Sequence, residues 1–285
     1  MGLKCLPDPD QRIILWRNTI QLFHAYKNQG FIGPFFSSDY GNYRVESPLS
    51  ERETLKRRIP DIFACGPSGW LIIELTCDDE SKKGQLDADK NLDPRSLSGY
   101  GCKAYSSSPD TISSRLIENN DQGHCQMVVY SSFILKNEEF INNINLRNAL
   151  IETKGKDLTK LPEIPFSLVP EMKNFEIRRG LVDIVMQIFY EKSEGKTPSE
   201  MCEEGLERLF DLVSPSARQS LVDKIQQEMD VLIRTDLAGY IEYKDGKYRS
   251  TSKLKPYPLS RQVITQKLQS WANPTQRTIP DYNPL

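Results

Sequence analysis

Along the chain, apolar positions recur with two distinct periods, and turn residues mark where one gives way to the other. Ile13, Leu15, Trp16, Ile20, Phe23 and Tyr26 give residues 9–28 a broad apolar helical face, with Pro9 near its start and Gly30 and Gly33-Pro34 beyond its end. Residues 35–50, rich in Ser, Asp, Gly, Asn and aromatics, predict a loop or irregular hairpin. Apolar runs at 59–65 and 70–77 flank Gly66-Pro67-Ser68-Gly69, the pattern of a β-hairpin. A helix is expected to begin near Lys82 behind Asp78-Asp79-Glu80-Ser81 and to end by Pro94. Residues 100–116 read as polar and turn-rich, 126–135 as a strand and 137–153 as a helix.

A linker is expected at 156–173, where Pro162, Pro165 and Pro170 cluster. Helical periodicity resumes at 174–192, 198–213 and 215–236, with Pro198 and Pro215 at helix starts. Around Asp245-Gly246 the chain alternates aromatic or apolar with polar residues, a second hairpin. The expected organisation is thus an α/β domain over 1–155, the linker, a mainly α domain over 174–272 and an extended tail over 273–285.

Composition narrows the classes. With 38% hydrophobic and 27% charged residues, the 285-residue chain has enough apolar surface to bury a core. No stretch approaches the roughly eighteen apolar residues of a membrane span, so a cytoplasmic protein is expected. The six cysteines form no C-x-x-C pair, which excludes zinc and thioredoxin-like readings and leaves reduced thiols as the expectation. His24 and His124 are too few for a multi-histidine metal site. No Walker-type loop and no Gly-x-Ser-x-Gly are present.

Charge chemistry concentrates at two places. In the first hairpin, a turn at 66–69 sets Cys65 opposite Trp70 and, counting back, Asp61 opposite Glu74. Opposed residues share a face with Cβ atoms about 4.5–5.5 Å apart, so two carboxylates there repel unless something compensates. A divalent cation with hard oxygen ligands, Mg²⁺ or Mn²⁺, does so. Glu46, Glu51 and Glu53 precede the hairpin as further acidic candidates, Glu53 preferred. Lys56, Arg57 and Arg58 form a basic run suited to phosphate contact. The second place is the C-terminal hairpin together with the segment after it. Residues 240–272 hold seven cations, among them Lys244, Lys247, Arg249, Lys253 and Lys255, against two carboxylates, while 191–230 hold ten acidic and five basic residues. Tyr243, Tyr248 and Tyr257 interleave with those cations, a composition suited to DNA.

Pro60-Asp61 and the Glu74 of Trp70-Leu71-Ile72-Ile73-Glu74-Leu75-Thr76 resemble the PD-(D/E)XK nuclease superfamily, over roughly residues 50–150. The resemblance implies a restriction-endonuclease-like mixed β-sheet flanked by helices, and phosphodiester hydrolysis with Asp61 and Glu74 as metal ligands. Thr76 stands where that superfamily carries its lysine; Lys82, Lys83 and Gln85 are the nearest substitutes for handling the attacking water. Helices followed by a small hairpin resemble a winged helix-turn-helix. A nuclease followed by a helical DNA-binding domain resembles the cleavage subunit of heteromeric transposases, and fits restriction or defence enzymes equally. The functional expectation is a metal-dependent DNA endonuclease, acting alone, as a homodimer or with a protein partner. The alternatives are a catalytically inactive DNA-binding or assembly subunit that keeps the nuclease fold, and a transcriptional regulator whose N-terminal domain binds a small ligand or a partner.

Overall fold

A computed structural model describes residues 8–52, 54, 56–67, 69–76, 83–103, 105–115, 118–119, 126–127, 141–153, 158, 161–162, 164–190, 195–251 and 258–273. The chain forms two compact units: Met1–Pro165 with Asp211–Ala217, and Phe166–Phe210 with Arg218–Leu285. It is an α/β protein. Among the described residues, no helix is long and apolar enough to cross a membrane.

The first unit is organised by a four-stranded mixed sheet. Its strands are β1 (Asn42–Val45), β2 (Ile62–Cys65), β3 (Trp70–Thr76) and β4 (Asp110–Arg115), in spatial order 1-2-3-4. The predicted hairpin is β2–β3, antiparallel, with Cys65 opposite Trp70 and Ile62 opposite Ile73. β1 extends it antiparallel, Asn42 facing Cys65, so part of the stretch expected as a loop is a sheet strand. β4 runs parallel to β3, pairing Leu71 with Asp110 through Thr76 with Arg115. That strand was not expected. Its Asp-Thr-Ile-Ser-Ser-Arg sequence is polar, and its pairing, not its hydrophobicity, makes it a strand.

Alternation along β2 and β3 divides the core. Phe63, Cys65, Trp70 and Ile72 face Leu49, Leu92 and Leu97 in one buried cluster. Ile62, Ala64, Leu71, Ile73 and Leu75 belong to the opposite face and are also buried. The helix α1 (Asp8–Gln21) contacts β3 and β4 and contributes buried Leu15, Trp16 and Ile20. It ends seven residues before the predicted boundary, after which Ala25–Tyr26 pairs with Phe31–Ile32. The four-residue α2 (Pro34–Ser37), α3 (Lys83–Asp89) and α4 (Ile144–Thr153) complete the unit's described α-helices. Of the predicted strand 126–135, Gln126–Met127 pairs with Glu118–Asn119; the remainder lies outside the described residues.

The expectation of wholly reduced cysteines is corrected. Cys65 and Cys102 form a disulfide, their Cα atoms 6.2 Å apart and 37 positions distant in sequence. A search for closely spaced pairs is blind to a partner that folding brings across the core. Cys202, in the second unit, is a buried thiol whose pKa burial pushes up to about 12.

The second unit contains α5 (Asn174–Tyr190), α6 (Pro198–Leu206), most of α7 (Pro215–Arg234), a hairpin of β5 (Ile241–Lys244) and β6 (Lys247–Ser250), and α8 (Pro258–Ala272). Thr197 and Glu200 form a reciprocal capping box at the start of α6. The hairpin pairs Tyr243 with Tyr248 and Lys244 with Lys247. Asp245 and Gly246 both have positive φ, 54° and 78°, as a two-residue turn between twisted strands requires. Lys196 exchanges two backbone hydrogen bonds with Tyr248, adding a one-residue third strand. α8, absent from the sequence expectation, packs on α5 and buries Ile264, Leu268 and Trp271. The expected linker carries Phe166, Leu168, Val169 and Met172, all buried.

Candidate functional site

The hairpin delivers two carboxylates to one place. Beyond the last paired residues, Ile62 and Ile73, the next positions are Asp61 and Glu74. By alternation both lie on the face of Phe63, Trp70 and Ile72. They are 5% and 0% exposed. Asp61 Oδ2 accepts the Leu75 amide at 2.5 Å, which closes off a backbone donor of β3.

Two further carboxylates converge. Glu46 follows β1, its amide donates to the Asp61 carbonyl at 2.9 Å, and their carboxylate oxygens lie within 4.8 Å. Its φ of 47° holds a non-glycine residue in the left-handed region, a costly conformation. From α3 comes Asp89, 1% exposed, its carboxyl group hydrogen-bonded with that of Glu74 and within electrostatic reach of Asp61. Burial raises the Asp89 pKa above the ordinary carboxylate value and Asp61 adds to the rise; Arg58, through charge and hydrogen bonding, and the Glu74 contact oppose it.

Arg58 supplies positive charge. Its Nε donates to Asp89 Oδ1 at 2.9 Å, and Nη1 lies 3.7 Å from Glu51 Oε1. Its place is set by backbone pairing. Leu49 and Ser50 pair with Arg58 and Arg57, and Glu51 bridges to Leu92 just past α3. The Arg52 amide donates to Asn91 O and the Asp93 amide to Ser50 O, so the Arg58 strand and the Asp89 helix end are tied through one short ladder.

The other expected residues divide clearly. Arg58 is occupied with Asp89 and Glu51, whereas Lys56 and Arg57 are exposed. Gln85, half-buried, sits four residues before Asp89 and therefore on the same helical face. Lys83 begins α3, but nothing of its side chain is described; Lys82 and Glu53 lie outside the described residues. Thr76 ends β3, described in its backbone. Asp89 escaped the sequence reading, although Gln85 and Asp89 at helical spacing behind Glu74 were a signal for it.

In the second unit, Lys244 is exposed on the hairpin. Lys247 Nζ lies 3.7 Å from Glu200, and Arg249 Nη1 lies 3.6 Å from Asp245. Tyr243 is exposed, but Tyr248 is fully buried, its hydroxyl 2.8 Å from Asp230 Oδ1, and is not available for stacking. Lys253, Lys255 and Tyr257 lie outside the described residues.

A cavity of about 450 Å³ opens at the other end of β3 and β4, lined by Tyr40, Trp70, Ser107, Asp110 and Asn143. Asp110 there accepts the amides of Asn142 and Asn143 at 2.6 and 3.2 Å. None of the expected site residues lines it.

The acidic cluster therefore offers hard oxygen donors, buried and crowded, which suit a divalent cation and no soft metal. Compared with known proteins, the chain matches no family model, no curated protein and no solved structure.

Proposed function

We propose that the first unit is a metal-dependent DNA nuclease domain of the PD-(D/E)XK kind and that the second is a winged-helix-like DNA-contacting domain. The protein would serve as the cleavage component of a restriction, defence or transposition system. The observation that carries this reading is the burial of Asp61 and Glu74 together at the end of a mixed-sheet hairpin. Two carboxylates gathered there offer hard oxygen ligands of the kind that Mg²⁺ or Mn²⁺ takes. When bound, such an ion supplies Lewis-acid activation of water and neutralises charge on the phosphate. Asp61 and Glu74 hold it, Leu75 N–H orients Asp61, and Lys56 and Arg57 offer exposed charge for the DNA backbone. Lys244 on the second hairpin offers a further phosphate contact.

Thr76 favours a second reading, a nuclease-fold subunit that binds DNA without cutting, since threonine carries no charge to polarise water. Plasmid incubated with Mg²⁺ or Mn²⁺ separates the two. Metal-dependent nicking that Asp61→Asn/Glu74→Gln abolishes supports the nuclease. DNA binding with no nicking in either metal supports the inactive subunit.

A further inference from the structure

Three buried acids of this protein are each matched with an arginine: Asp89 with Arg58, Asp93 with Arg95 and Glu228 with Arg178. Asp110, 6% exposed, has no such partner among the described residues. Its two oxygens accept the amides of Asn142 and Asn143 at 2.6 and 3.2 Å, and the Asn142 side chain adds a hydrogen bond. These bonds hold the carboxylate without neutralising it, since a helix start such as that of α4 beside it brings only about half a positive charge. Burial keeps the Asp110 pKa above the ordinary carboxylate value, and no cation draws it down.

Asp110 lines the cavity at this end of β3 and β4, and fully buried Tyr40 lines it too. The Tyr40 hydroxyl oxygen accepts Asn143 Nδ2 at 3.2 Å, while its proton meets no acceptor among the described residues. Burial pushes the Tyr40 pKa up to about 12, so the hydroxyl remains a donor. A buried donor left unmatched is costly. Among the described residues no lysine, arginine or histidine lines the cavity, so an anion there would meet Asp110 with nothing to offset it. At about 450 Å³ the space lies within the range of small-molecule pockets. Gly69 forms part of the wall, and a Cβ there would meet only Tyr40 Oη, at 3.7 Å.

We propose that this cavity binds a small organic cation, its ammonium or guanidinium group on the Asp110 carboxylate and a hydrogen-bond acceptor of the same molecule on the Tyr40 hydroxyl. One ligand then supplies both missing partners, a countercharge for Asp110 and an acceptor for Tyr40. Water can take the Tyr40 proton but brings no charge to Asp110. The site is separate from the acidic cluster at the other end of β3, and its test does not depend on the nuclease reading.

The test uses the full chain and argininamide, which carries a guanidinium, an ammonium and a carbonyl, beside glutamate as an anion and glucose as an uncharged polyol. Affinity is measured by calorimetry, and thermal unfolding is followed with and without each probe, for wild type, Asp110→Asn, Tyr40→Phe and Gly69→Leu. Wild type is expected to bind argininamide saturably, with a Kd of about 1 mM or tighter, and to melt at a higher temperature with it. Neither glutamate nor glucose should bind. Asp110→Asn should weaken argininamide at least about tenfold and Tyr40→Phe about fivefold. Gly69→Leu, which places a side chain against the Tyr40 hydroxyl, should abolish binding. A Tyr40 hydroxyl that serves only Asn143 predicts instead a Tyr40→Phe protein with a lower Tm and unchanged affinity. The proposal is overturned by that result, by a wild type with no saturable heat, by Asp110→Asn or Gly69→Leu binding argininamide like wild type, or by glutamate or glucose binding as tightly. Should Asp110→Asn or Gly69→Leu fail to fold, Tyr40→Phe decides.

Discussion

The hairpins Ile62–Thr76 and Ile241–Ser250 use the same local device, two short antiparallel strands joined by a turn, and put it to opposite electrostatic use. The first is paired along both edges, by β1 and β4, and side chains on both its faces are buried, its acids among them. The second pairs, among the described residues, with itself and through single bridges with Lys196 and Ala238, and Glu242, Tyr243, Lys244 and Asp245 remain exposed. A charge costs little on the second hairpin because water solvates it. On the first, the same charge demands a partner, a proton or a metal. What packs on its faces, more than the hairpin sequence, sets what its charged residues can do.

The largest expected effect is on the sealed hairpin. Phe63→Ala removes a fully buried ring beneath Leu49 and Leu97 and should cost about 3–5 kcal/mol in urea unfolding. A loss under about 1 kcal/mol would mean that this core is loosely packed and that the contrast with the second hairpin is false. Next is Arg58→Met, which leaves Asp89 without its cation. Because Arg58 is itself 27% exposed, about 1–2 kcal/mol is expected rather than the full cost of breaking a buried pair.

The pH dependence of that cluster has a definite sign. The Asp89 pKa is raised in the folded protein, so the folded state holds its proton more tightly than the unfolded chain does. Its contribution to stability is therefore fully present below the unfolded value of about 3.9 and is lost as pH rises through the folded pKa. In EDTA, unfolding free energy should fall across that range. Arg58→Met should deepen the fall and Asp89→Asn should flatten it, as denaturant titrations at stepped pH would record.

In the second unit, Thr197→Ala breaks the capping box of α6 and should cost about 1 kcal/mol by thermal melting. The smallest effect is expected on the open hairpin. Tyr243→Ala should alter stability by no more than about 0.5 kcal/mol. Lys244→Gln should leave the fold untouched and, in a DNA-binding assay, lower the log–log salt slope by about 0.9. A Lys244→Gln protein with an unchanged salt slope would remove this hairpin from the DNA surface.

Legibility in the sequence followed the range of the interactions involved. The first hairpin could be read, down to the Cys65–Trp70 register, because a turn of known length and two apolar runs specify it locally. The cores of α5, α6 and α7 were legible from their periodicity. β4 was not, since Ser113 and Ser114 look like loop residues until β3 pairs with them. α8 was not expected, although Ile264, Leu268 and Trp271 recur at helical spacing. The Cys65–Cys102 bond joins distant positions, and nothing local marks it.

For the candidate site the division is sharper. By itself, the amino-acid sequence determined that Asp61 and Glu74 would share a face at the end of a hairpin, because strand alternation and turn length leave little freedom. It also determined that the C-terminal hairpin would be basic and turn on Asp245-Gly246. Only the tertiary structure decided that Glu46 comes to Asp61 and Asp89 to Glu74, that Arg58 is spent on Asp89, and that Tyr248 is buried while Tyr243 is not. The reason is physical. Alternation and periodicity act over a few residues, whereas burial of a charge depends on which distant segments cover it, and those are chosen by the packing of the whole unit.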